Sequence, residues 1–364
     1  MQTRGYRPDI SGESRTGPTL KAALIATPFI SVPPADYGGT ELFVAHLAEG
    51  LQSAGIETIV YANGESTVGT ERRSIYSLSE WPIKSAEKAW LRELNHESSA
   101  VHDAAKDCDI IHVQSAQAAT FSRFTRQAVV LTLHGPHEAA LSELYAFYPD
   151  VYYVCISDAQ CKQEAMPRMR TIHHGIDISR YRLVEKKQQY LSFIGRIAPI
   201  KGTHLAVDVA KRTGIPLKIA GDIQPINREY FERKIKPEID GNLVEYIGPA
   251  DLEAKNELLA NSMAMLFPIQ WNEPFGLVMV ESMACGTPVL AMPGGSVQEV
   301  VRDGVSGYTC RSVREMVKRT KNLNFDPVAI RSYVEENFSI ERMVRGYVAL
   351  YKEAVAKSKI PEAA

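Results

Sequence analysis

From residue 20 onward the chain alternates short apolar runs with stretches whose apolar positions recur at helical spacing. In the first half the runs fall at residues 21–27, 57–62, 109–113, 128–133 and 151–156. None alternates cleanly between apolar and polar, which suits parallel strands covered on both faces. Residues 41–54 and 138–148 between them read as amphipathic helices. Strand alternating with helix predicts a doubly wound parallel sheet.

The pattern then restarts. YLSFI at 190–194 reads as a strand, followed by a helix from about residue 203 to 212 and strands at 216–220, 243–246, 264–267 and 288–291. The polar stretch VEKKQQ at 184–189 reads as the linker between the two units. Four segments follow: a polar tail at 1–19, a first unit at 20–185, a second at 186–339, and a closing helical segment at 340–364. In that last segment Met343, Tyr347, Leu350 and Tyr351 share one face and require something to pack on.

Composition changes this picture only by exclusion. At roughly 150 residues per domain, 364 residues fit two domains. The formal net charge of -2 gives no electrostatic footprint for nucleic acid. The five cysteines lack paired spacing, which argues against a disulfide framework or zinc site and fits a reducing cytoplasm. No run reaches 18 apolar residues, and the first 19 residues lack the apolar core of a secretory signal, so they are expected to be a disordered tail. KSAEKAWLRELN at 84–95 sets Trp90, Leu91 and Leu94 beside lysines. That arrangement admits a peripheral membrane patch at the inner face, but a helix packing on the first unit is the stronger reading.

Ligands of open parallel sheets sit beyond the carboxyl ends of the strands, so the chemistry is sought there. After the first strand, PPADYGGTE places Gly38 and Gly39 directly before a helix, exposing backbone amides suited to phosphate, or forming a plain turn. The spacing matches neither the dinucleotide nor the P-loop signature. In the second unit GRIAPIKG sets Arg196 and Lys201 around a strand-to-helix turn, able to neutralise a diphosphate. NEPFGLVMVE carries the strongest signal. It opens a helix near Gly276, leaves the amides of Phe275, Gly276 and Leu277 free, and offsets Glu273 and Glu281 so that two carboxylates can grip vicinal hydroxyls. Glu281 lies among apolar residues, and a buried carboxylate needs partners.

Among the histidines, His134 ends a strand in LHGPH, where it either acts near neutral pH, hydrogen-bonds a hydroxyl, or is structural. His112 reads as structural, and His173 and His174 receive no role. Asp107 and Asp109 match the D-x-D spacing of metal–nucleotide sites but precede a strand, at the end of the sheet opposite the ligand face.

Together these residues resemble the retaining family-4 glycosyltransferases of the GT-B fold, from about residue 21 to about 351. The most specific element is Glu273-x7-Glu281 within EPFGLVMVESMACGTPVL; FIGRIAPIKG, PPADYGGTE, TLHG and HHGID support it. HHGID departs from the more frequent N-G-V-D turn. The resemblance implies an α/β fold of two Rossmann-like parallel-sheet domains facing a cleft, with a C-terminal helix crossing back to the first domain. It implies an α-linkage-forming hexosyltransferase moving a sugar from a UDP-glucose-type or GDP-mannose-type donor to a sugar, lipid or small-molecule hydroxyl, with no obligatory metal or other cofactor. Arg196 and Lys201 would bind the diphosphate, Glu281 the ribose, and Glu273 with the amides of Phe275 to Leu277 the sugar. Gly38 and Gly39 would close on the donor, and His134 would stand near the reacting centre. A sugar-nucleotide epimerase of the same fold, or a silent sugar-binding relative, is the alternative.

Overall fold

The alternating pattern forms two all-parallel sheets in this computed structural model, which describes residues 19–35 and 38–358. The expected tail up to residue 18, Asp36 and Tyr37 of the glycine loop, and residues 359–364 lie outside the described residues. The first sheet comprises β1 (Lys21–Ile25), β2 (Glu57–Tyr61), β3 (Glu71–Arg73), β4 (Ile110–Val113), β5 (Ala128–Leu133), β6 (Tyr152–Cys155) and β7 (Met169–Thr171), in the order β3-β2-β1-β4-β5-β6-β7. The second comprises β8 (Leu191–Ile194), β9 (Leu217–Ala220), β10 (Val244–Gly248), β11 (Ala264–Phe267), β12 (Val289–Ala291) and β13 (Gly307–Thr309), in the order β10-β9-β8-β11-β12-β13. Helices cover both faces, which is why β1, β4, β5 and β11 are buried throughout or nearly so. The edge strands β3, β7 and β13 have three residues each and carry Arg, Glu or Thr, so no apolar run announced them.

The chain passes between the units earlier than the polar stretch at 184–189 suggested. Ile176 and Tyr181 are already buried in the core of the second unit. At the passage Ile176 bridges Ser339, and its amide donates to Phe338 O at 2.9 Å. The outgoing and returning segments therefore run side by side. Gly175 has no room for a side chain there: a Cβ would stand 2.3 Å from Ser339 O. The expected linker is itself anchored. Lys187 Nζ donates to Ala260 O, Cys285 O and Thr287 Oγ1 at 2.8–2.9 Å, and burial pushes its pKa down to about 8.

After the helix Pro327–Asn337 on the second unit, the helix Ile340–Ser358 returns to the first. Met343, Tyr347, Leu350 and Tyr351 bury the predicted face against Phe43, Leu47 and Leu51. Burying side chains of this size stabilises by roughly 1.5–3 kcal/mol each. Their polar ends are satisfied: Tyr347 Oη pairs with Thr132 Oγ1 at 2.8 Å and Tyr351 Oη with His112 Nδ1 at 2.7 Å. His112 Nε2 reaches Thr132 Oγ1 at 2.8 Å, so this histidine is a core hydrogen-bonding group.

Two other sequence features also find their places. Asp107 is held by Lys21 Nζ and Arg73 Nη2, both at 3.1 Å, and Asp109 accepts from the Lys21 amide at 2.9 Å. Both acids thus serve the amino end of the first sheet. The helix Ala86–Ala104 buries His96, Glu97, Ala100, Val101 and Ala104, while Trp90 and Leu91 remain 54% and 52% exposed. Among the described residues no helix is long and apolar enough to cross a membrane.

Candidate functional site

In each sheet the strand order reverses beside the first strand, between β1 and β4 and between β8 and β11. Crevices at such reversals, beyond the carboxyl ends of the strands, are where ligands of this architecture bind. Gly38 and Gly39 follow β1, and His134 follows β5. Arg196 and Lys201 follow β8, and Glu273 follows β11. These loop residues therefore lie on the ligand side of their sheets, whereas Asp107 and Asp109 lie at the opposite end.

On the second unit, two close approaches bring the loops together. Gly202 has φ 72, and a Cβ there would lie 1.9 Å from Pro268 O, so the turn after β8 is pressed against the end of β11. Lys201 Nζ thereby reaches Glu273 Oε2 at 2.6 Å, 72 residues away in sequence. Trp271 Nε1 donates to the same oxygen at 2.9 Å, and Lys201 Nζ stands 4.6 Å from the Trp271 ring centroid. The glycine turn at 293–296 braces this loop from behind. Ser296 donates from its amide to Glu273 O at 3.0 Å and from Oγ to Phe275 O at 2.8 Å.

The helix Leu277–Ala284 opens at Gly276, whose φ of 78 suits glycine and which carries no side-chain cap. Further along it Glu281 is buried and accepts from Tyr181 Oη at 2.8 Å and Lys255 Nζ at 2.7 Å. The partners that its apolar surroundings demanded are thus supplied by residues far away in sequence. Arg196 is half-buried and makes one long bond, Nη1 to Gln224 Oε1 at 3.4 Å. Among the described residues it forms no ion pair. Gly38 caps the helix Gly39–Ser53 with φ 147, again without a side-chain cap.

On the first unit His134 stacks on His174, with ring centroids 5.5 Å apart and planes at 14°, and Phe43 stands 5.0 Å from both rings. His174 in turn meets Phe275 edge-on at 5.3 Å. The crossover histidine thus links His134 of the first unit to the EPFG loop of the second. Burial, and next the neighbouring His112, pushes His134 down to about 3, so its imidazole is neutral. With the proton on Nε2 it donates to Gln114 Oε1 at 2.8 Å and leaves Nδ1 to accept.

Between the units, Pro136, His137, Gln160 and Gln163 face Trp271, Asn272, Glu273, Pro274 and Gly295 across a cavity of about 120 Å³. A second contact closes the same seam. Glu299 accepts from the amides of Asp158 and Ala159 at 2.7 and 2.6 Å and from His173 Nε2 at 3.1 Å. Asp158, His173 and Glu299 also bring potential metal-binding atoms within 4.8 Å of one another. The Glu299 oxygens there are engaged by the helix-start amides, so the set acts as an interdomain contact.

Sequence reasoning missed Trp271, His174, Tyr181, Lys255 and Glu299. Trp271 adjoins Glu273 and His174 adjoins the crossover, so proximity to a motif was available as a signal. Tyr181, Lys255 and Glu299 gave none, because their roles exist only through tertiary contacts.

Residues 177–323 match the family model for glycosyl transferases group 1, and residues 37–180 match that for Glycosyltransferase Family 4. The chain has the GT-B fold of glycosyltransferases. A D-inositol 3-phosphate glycosyltransferase of Thermomonospora curvata is 32% identical over 180 residues, covering 46% of this chain and 41% of that protein. Matches to the first curated relatives span 33–48% of their lengths. Two solved GT-B structures cover nearly the whole chain. AviGT4, a glycosyltransferase involved in avilamycin A biosynthesis, is 25% identical over 93% of this chain and 98% of its own, with a TM-score of 0.67. Anabaena HepE, in complex with UDP and glucose, is 17% identical over 92% and 100%, with a TM-score of 0.71.

Proposed function

We propose that this protein is a retaining glycosyltransferase that moves a hexose from a nucleoside diphosphate donor to a hydroxyl acceptor, forming an α-linkage. The observation that carries the reading is the meeting of Lys201 and Glu273 at 2.6 Å at the β8/β11 reversal, with Glu281 behind them on the helix that Gly276 opens. A cation and a carboxylate side by side suit the two halves of a sugar diphosphate. Arg196 and Lys201 take the phosphates, Glu273 and the amides of Phe275, Gly276 and Leu277 take the sugar, and Glu281 takes the ribose. Gly38 and Gly39 approach the phosphates from the first unit. The matching glycosyltransferase families and the complex of HepE with UDP and glucose support a donor of this class.

In the proposed step the acceptor oxygen bonds to the anomeric carbon as the bond to the phosphate oxygen breaks, on the same face. The acceptor proton passes to the departing phosphate. Arg196 and Lys201 stabilise the charge that develops on the leaving group, which is the large catalytic contribution in such a site. Neutral His134 positions the acceptor through a hydrogen bond.

The test is a thermal-shift panel of UDP-, GDP-, ADP- and TDP-sugars with EDTA present. A ligand at 100 times its dissociation constant adds about 2.7 kcal/mol of stability. One nucleotide raising the melting temperature supports the donor site and names the donor class. A flat panel at millimolar ligand overturns the reading.

A further inference from the structure

The proposed donor site accounts for Arg196, Lys201, Glu273 and Glu281 at the second reversal, whereas the first reversal holds a set of acids that the transfer step leaves unexplained. Glu41, Glu93 and Glu97 gather beyond the ends of β1 and β4. Thr27 Oγ1 donates to Glu41 Oε1 at 2.6 Å, and Ser115 Oγ donates to Glu97 Oε1. Each hydroxyl lies two residues beyond its strand. Glu93 interacts electrostatically with both other acids, and the Gln117 amide lies beside Glu93 and Glu97.

Two features distinguish this set from a solvated acidic patch. Glu97 is 4% exposed, yet its Oε2 has no hydrogen-bond partner. Among the described residues no Lys, Arg or His forms an ion pair with Glu41, Glu93 or Glu97. Arg92, on the same helix as Glu93 and Glu97, is turned away: it pairs with Glu80 at 3.2 Å, donates to Leu78 O at 2.6 Å and covers the Tyr76 ring at 4.0 Å. His96 faces Ala26 O at 3.0 Å, and burial pushes it down to about 4, so it brings no charge. A buried carboxylate without a cation either keeps its proton or meets a cationic ligand. Burial, and then Glu93, pushes Glu97 up to about 8, and burial also raises Glu41 and Glu93.

The set borders the proposed reacting centre. Ser115, which holds Glu97, is next in sequence to Gln114, which holds His134. We propose that the acceptor is a polyhydroxylated amine, an amino sugar or aminocyclitol, whose ammonium group is received by Glu41, Glu93 and Glu97 while a hydroxyl is presented at His134. An ammonium brings three donors to a site that has an orphaned acceptor and no cation. A phosphate-bearing polyol brings the wrong charge. This inference rests on the function proposed above and names the acceptor class for it.

Isothermal titration of the full chain, with and without UDP, would compare glucosamine with glucose and 2-deoxystreptamine with myo-inositol. The amines are expected to bind at least about tenfold more tightly than their neutral counterparts. They should also release a proton at pH 7 as Glu97 ionises, read from buffers of different ionisation enthalpy. Glu97→Gln and Glu93→Gln should each reduce that preference while leaving stabilisation by nucleotide sugars unchanged. Equal binding of amine and neutral partner, no amine binding, or a preference that survives both substitutions overturns the inference. The nucleotide-sugar melt on the same samples separates the two ideas. A lost donor response with amine preference intact removes the transferase reading and, with it, the acceptor role, leaving the amine site itself. A normal donor response without amine preference removes the acceptor class alone.

Discussion

Lys201 Nζ and Glu273 Oε2 lie 2.6 Å apart although 72 residues separate them, and both side chains are largely sheltered from water. A sheltered ion pair contributes little net stability, but removing one partner leaves an uncompensated charge. Here the Trp271 bond would still hold Glu273 after loss of Lys201. Lys201→Met should therefore lower unfolding stability by about 1–3 kcal/mol and abolish the melting shift with the nucleoside diphosphate as well as with the nucleotide sugar of the thermal-shift panel. Glu273→Gln should keep the shift with the nucleoside diphosphate and lose the additional shift contributed by the sugar. Identical responses of the two variants would contradict the assigned division of labour.

The His134 ring stacks on His174 with Phe43 5.0 Å from both, and its pKa is pushed down to about 3. A group neutral across the working range gives no titration limb near pH 6.5. The pH profile of kcat/KM for the wild type should show no such limb assignable to His134. His134→Ala should lower kcat/KM for the acceptor by about tenfold or more without changing the profile between pH 5 and 8. A limb near neutrality that disappears in the variant would make His134 a proton carrier.

Glu97 has a sign of pH dependence opposite to that of an ion-paired carboxylate. Its pKa in the folded protein is about 8 against 4.5 for an unperturbed group. Between those values the folded state holds a proton that the unfolded state has lost. Stability contributed by this residue is thus present at acid pH and falls as pH rises from about 5 to 8, by at most about 1.4 kcal/mol per pH unit. Glu97→Gln should flatten that part of the curve, measured by urea unfolding across the range. An unchanged slope in the variant would place the proton uptake elsewhere.

Glu299 joins the units by accepting from two amides at the start of the helix Asp158–Cys161 and from His173. Amides donating to a carboxylate form charge-assisted bonds, stronger than those to a neutral oxygen. Glu299→Gln should cost about 1–2 kcal/mol and speed hydrogen exchange at Asp158 and Ala159, with nucleotide binding retained. Exchange at those amides unaffected by the substitution would show that the seam is held by other contacts.

The local signals in the chain were sufficient for the strands, the helix starts and the loops that follow them. Parallel strands buried on both faces must be continuously apolar, so β1, β4, β5, β6, β8 and β11 stood out. The amphipathic face of the last helix likewise announced that it would pack. The edge strands β3, β7 and β13 had no such signature because an edge buries too little to require one.

What the fold alone decided is which charges meet. Lys187 looked like part of a free polar linker, yet three oxygens from separate elements receive it. Glu281 needed partners by its burial, but nothing local named Tyr181 or Lys255. Nothing local marked Glu97 as buried; the helix Ala86–Ala104 turns it inward and leaves Trp90 and Leu91 facing out. Apolar periodicity is written within a few consecutive residues and fixes the elements. The electrostatic environment of a side chain is set by groups brought from tens to hundreds of residues away, so it comes into being only when the elements pack.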